Sequence, residues 1–68
     1  MTRKQMKKLA KELYECELIH QDDSSSKEEK ARADSRVMQI TNQIMALHDG
    51  INIMLEIDVM VQDLASKN

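Results

Sequence analysis

Val37, Ile40, Ile44, Leu47, Ile51 and Met54 recur at alternating steps of three and four residues. That spacing is the apolar seam of an α-helix that packs along its length. Val61 and Ala65 carry the seam onward after a polar interruption at Asp58. A stripe this long has to be covered, and a chain of 68 residues has little else to cover it with. A domain of this size buries a modest share of its surface and is marginally stable without help. Cys16 is the single cysteine, so no internal disulfide supplies that help. One Cys and two His are a poor basis for a structural metal site. Oligomerisation is left as the expected source of stability.

Two helix starts are written into the sequence. Thr2 with Gln5 three residues on reads as a capping box, followed by Met6, Leu9, Leu13 and Cys16 at helical spacing. The first helix is expected over residues 3–20. Residues 21–26 are polar, contain Asp22 and Asp23, and read as a tight loop. The second start is doubled: Ser25 with Glu28 and Ser26 with Glu29 are both capping pairs. From there a helix is expected over 27–66.

Asp49-Gly50 is the ambiguous point. Asp-Gly is a turn signal, and Gly50 suits the position just after a helix end. The three-four spacing nevertheless passes through it from Ile44 and Leu47 to Ile51 and Met54. One helical Gly costs only about 1 kcal/mol relative to Ala. A continuous helix, bent at Gly50, is the favoured reading, with a break at 49–51 as the alternative. Residues 51–61 also alternate like a strand rich in β-branched residues, which would need an intermolecular partner.

The expected architecture is therefore all-α: a single domain over 1–68, a helical hairpin with a short first helix and a long second one. At 1.5 Å per residue the second helix would run about 60 Å and the first about 27 Å. The first helix would leave the apolar second half bare. Ile44, Leu47, Ile51, Met54, Ile57 and Val61 are thus the expected oligomer interface. A homodimer or higher even oligomer of four-helix-bundle type, in coiled-coil-like packing, follows.

Charge comes in blocks. Arg3, Lys4, Lys7, Lys8 and Lys11 are uninterrupted by acids, and Glu12, Glu15, Glu17, Asp22 and Asp23 follow without a base. In an antiparallel hairpin the acidic block faces Lys30, Arg32 and Arg36. The basic block is a candidate contact for nucleic-acid phosphates. Against this stand the net charge of -2, the dominance of Lys, and the lack of interleaved aromatics, Tyr14 being the only one. A solvated helix face is the plainer account.

No other pattern carries chemistry. Cys16 and His20 share a helical face at zinc-ligand spacing, with Asp22 or Asp23 nearby, but a tetrahedral site needs four ligands. Cys16 as a nucleophile lacks an oxyanion site. Met38, Met45, Met54 and Met60 are expected as core or adaptable contact surface. No run is long enough to span a bilayer, and no apolar region follows Arg3 and Lys4 as in a secretory signal. The expectation is a cytoplasmic, non-enzymatic interaction protein without cofactor or metal. It would be a homo-oligomeric regulator or scaffold of bacterial or phage accessory type. The alternative is a nucleic-acid-binding regulator that uses the Lys-rich first helix.

Overall fold

The structure is a computed structural model that describes residues 1–67. It contains three helices, α1 (Arg3–Gln21), α2 (Lys27–Met45) and α3 (Gly50–Ser66). Among the described residues there is no strand, so residues 51–61 are helical and not an extended edge.

Both capping boxes close. The Thr2 hydroxyl accepts from the Gln5 N–H at 3.2 Å, and the Gln5 side chain accepts from the Thr2 N–H at 3.0 Å. At α2 it is Ser26 and Glu29, not Ser25 and Glu28, that pair in this way, at 3.1 Å in both directions. Glu28 and Glu29 then lie in the first turn, where the helix dipole favours acids. The loop between α1 and α2 is tied by Asp22. Its carboxylate accepts from the Ser24 N–H at 2.9 Å and the Ser24 hydroxyl at 2.7 Å. The backbone donor, then the hydroxyl, hold the Asp22 carboxyl below its usual value. A lowered folded-state value means that this small contribution is present at neutral pH. It is lost as pH falls through the folded value.

The long second helix is not formed. The chain leaves α2 at Met45, turns over residues 46–49 and re-enters helix at Gly50. The turn is held by N–H donations from Ala46 to Asn42, Leu47 to Ile44 and Gly50 to Leu47, at 3.0–3.1 Å. The break falls slightly ahead of the 49–51 alternative. Gly50 is neither a helix-interior residue nor a positive-φ cap. It is the first residue of α3, packed onto the end of α2. A Cβ there would lie 2.4 Å from the Ile44 carbonyl oxygen and 2.9 Å from the Met45 Cα. Only glycine lets the two backbones approach this closely.

The turn also resets the helical phase. The buried side of α3 runs through Gly50, Ile53, Ile57, Met60 and Leu64, with Met54 and Val61 beside it. It does not run through Leu47, Ile51 and Met54 as the uninterrupted spacing implies. α3 is apolar on so many sides that two stripes fit it, and the turn decides which one faces inward.

The core is built within one chain. Ile40, Ile44 and Ile57 are completely buried, joined by Met6 and Ala10 from α1. Leu9, Leu13, Ile53, Met54, Met60, Val61 and Leu64 pack around them. α1 packs against α2 and α3 alike. It therefore covers the half of the apolar stripe that a hairpin would have left bare. A three-helix bundle replaces the expected hairpin-based four-helix unit.

Candidate interaction surfaces

The six residues expected at an oligomer interface separate in the structure. Ile44 and Ile57 belong to the internal core, and Met54 and Val61 are partly buried against it. Leu47 remains exposed at the turn, and Ile51 is 66% exposed. Leu55 and Val59 join Ile51 on the outside of α3, each 62% exposed. The three lie four residues apart, so they form one row along the helix. Met45, on the end of α2, lines a shallow hollow together with Ile51, Met54, Leu55 and Asp58. Leu47, His48 and Asp49 line a second hollow beside Ile51 and Asn52. Leu55 and Val59 lie outside the six residues that the apolar spacing picks out. Their signal was the i, i+4, i+8 spacing from Ile51, hidden because α3 is apolar nearly all round.

The basic residues form a second surface. At 100° per residue Arg3, Lys4, Lys7, Lys8 and Lys11 fall within an arc of about 140° on α1. All five are exposed, and none is ion-paired to a described residue. Arg3 lines a hollow with Glu56, Val59, Met60 and Asp63. Lys7 and Lys11 line another with Asp63 and Lys67. The acids of α3 thus lie close to this arc without closing on it.

The acidic block meets α2 only in part. Arg36 binds Glu12 at 2.7 Å and His20 lies 3.3 Å from Asp34, whereas Arg32 reaches Glu28 of its own helix at 3.9 Å. All are substantially exposed, so each pair is worth about 0–1 kcal/mol.

Cys16 and His20 line an open groove with Leu13, Asp34, Val37 and Asp58. Among the described residues no group of three or more His, Cys, Asp or Glu side chains is placed to hold a metal ion. Asp22 and Asp23, the other possible ligands, belong to the loop, where Asp22 is engaged with Ser24. Cys16 is buried and unpaired. Burial, then the nearby Glu12 charge, push its thiol above the usual value, with Arg36 opposing. A raised value leaves less thiolate at mildly alkaline pH. Alkylation of Cys16 at pH 8 should therefore be clearly slower in the native protein than in urea. Equal rates would place the thiol in solvent and contradict the α1 packing.

Among the described residues no helix is long and apolar enough to cross a membrane. No family model, curated protein or solved structure matches the chain.

Proposed function

We propose that this protein is a small non-enzymatic interaction module that associates through the outer face of α3, primarily with a second copy of itself. In that role it serves as a regulator or scaffold. One observation carries the reading: the row of Ile51, Leu55 and Val59, each more than 60% exposed on a helix whose opposite side is core. A solvated helix face normally carries polar residues there. Fully burying such a side chain is worth about 1.5–3 kcal/mol. A contiguous exposed apolar patch on a small protein marks a contact surface. A homodimer or a higher even oligomer is in keeping with it. A cytoplasmic location is part of the reading, supported by the unpaired thiol of Cys16.

Sedimentation equilibrium across the micromolar to millimolar range tests this. The expected result is a mass that rises with concentration. Leu55→Asp should abolish the rise and leave the helical circular dichroism intact, because Leu55 takes no part in the core. A wild-type chain that stays monomeric throughout would overturn the reading.

The basic arc on α1 favours a second reading, a nucleic-acid-binding regulator. It rests on five exposed cations on one side of one helix with no ion-paired partner among the described residues. Titration of labelled RNA and duplex DNA at low salt separates the two. Under the first reading binding stays within the non-specific range of about 10⁻⁴–10⁻⁶ M. Submicromolar binding that is lost on Lys4→Glu/Lys8→Glu would favour the second.

A further inference from the structure

We propose that the groove between α1 and α3 at Met60 and Leu64 docks an acidic amphipathic helical segment of another protein. The apolar residues of that segment lie on the groove floor, and its carboxylates meet the lysines of the rim. The proposal goes beyond the self-association reading and uses a different surface. On the helical wheel Met60 and Leu64 lie about 140° and 180° from Leu55, the middle of the outer row.

α1 and α3 run side by side in the same direction. Arg3 borders a hollow with Glu56 and Val59, and Lys7 and Lys11 border the next one along, with Asp63 and Lys67. This second hollow is open to solvent and holds about 300 Å³. Its floor is Ala10, which is buried, together with Met60 and Leu64, which the core covers only in part. Pockets for small molecules are larger or enclose their ligand. An open groove of this size suits a few side chains presented by one face of a helix. Met60 to Lys67 spans about 10 Å, close to two turns, which matches apolar anchors at i and i+3 or i+4. The unbranched Met60 side chain adapts to whatever is laid against it.

Charge decides what the groove takes. Lys7 and Lys11, one turn apart on α1, and Lys67 at the end of α3 stand around the floor, against the single carboxylate of Asp63. All three lysines are exposed, and none is ion-paired to a described residue. Glu56 lies at the neighbouring hollow, where Arg3 stands beside it. Over the two hollows together four cations meet two carboxylates, so the excess is positive although the whole chain carries -2. A basic partner is repelled by that rim. Nucleic-acid phosphates would use the lysines and leave Met60 and Leu64 uncovered. A helix with an apolar stripe flanked by Glu or Asp satisfies the rim and the floor at once. A contact of about two turns is small, so a dissociation constant on the order of 10–100 µM is expected.

The probe is a fluorescently labelled synthetic helix with Leu at i, i+4 and i+7 and Glu on both flanks, titrated with the protein and followed by anisotropy. Salt is held at about 0.15 M, where charges beyond about 8 Å are largely screened. The wild type should bind it. Lys7→Glu/Lys11→Glu should weaken binding by about tenfold with helical circular dichroism unchanged, because both side chains are exposed. Lys4→Glu/Lys8→Glu, on the same helix but outside the groove lining, should change it by less than about threefold. Leu55→Asp should leave it unchanged, which keeps the result separate from the fate of the self-association reading. No binding at about 1 mM protein would overturn the proposal. So would equal loss from the two lysine pairs, which is the mark of a diffuse polyanion surface. Loss of binding in Leu55→Asp would move the contact to the outer face of α3 and overturn it as well. Undiminished binding of a control helix with Lys in place of every Glu would do the same.

Discussion

Replacing Ile57 with Ala is expected to remove about 2–5 kcal/mol of folding free energy. Ile57 is fully buried and is the residue through which α3 enters the core formed by Ile40, Ile44, Met6 and Ala10. Truncation removes the transfer free energy of the lost carbons and leaves a cavity that three helices cannot collapse without shifting together. At about 0.05–0.15 kcal/mol per residue, a chain of this length holds only about 3–10 kcal/mol in all. The variant should therefore be largely unfolded near physiological temperature, or should melt far below the wild type. Ile57→Val, which keeps the branch at Cβ, should cost about 0.5–1.5 kcal/mol. Urea unfolding followed by helical circular dichroism at fixed protein concentration measures both, since self-association makes stability concentration-dependent. Ile51→Ala is the matched control, because Ile51 is mostly exposed in the single chain. Its effect should appear in association and hardly in the folding of the monomer. A loss below about 1 kcal/mol for Ile57→Ala would mean that α3 is not docked as described.

Gly50→Ala is expected to destabilise the fold by about 1–3 kcal/mol, the range for forcing extra volume into a packed site. Intrinsic propensity argues the opposite, since Ala is the better helix former by about 1 kcal/mol. The position decides which effect wins. The added methyl would sit 2.4 Å from the Ile44 carbonyl oxygen and 2.9 Å from the Met45 Cα. Both are backbone atoms, so no side chain can rotate out of the way. The end of α2 and the start of α3 would have to separate, loosening Ile44 and Ile57 together. Gly50→Ser should behave in the same direction, because the obstacle is the Cβ itself. A raised melting temperature for Gly50→Ala would show that α2 and α3 are one helix after all.

Much of the local structure is legible in the order of residues. Thr2 and Gln5, and Ser26 and Glu29, announce their helices because a capping box uses only side chains and backbone within one turn. The loop at residues 21–26 shows itself through polar residues that prefer local hydrogen bonds to helix. The core stripe of the first two helices is equally plain: Met6 and Ala10, and Ile40 and Ile44, sit where helical spacing puts them. The interaction surface is less legible. The apolar spacing includes Ile51 but leaves out Leu55 and Val59, because it runs straight through Asp49-Gly50, where the chain turns between α2 and α3.

The amino-acid order by itself determined an all-helical chain, the start of α1 and α2, the loop between them and the excess of apolar surface in the last third. Those features arise from interactions over three or four residues, which any sequence window contains. Tertiary structure alone decided that the chain turns at residues 46–49, which side of α3 faces inward, and which apolar residues stay in solvent. Asp49-Gly50 is compatible with both a turn and a continued helix, since Gly in a helix interior differs from Ala by only about 1 kcal/mol. Burial of Ile57 against Ile40 and Ile44 outweighs that difference, and it exists only once α3 has folded back onto α1 and α2.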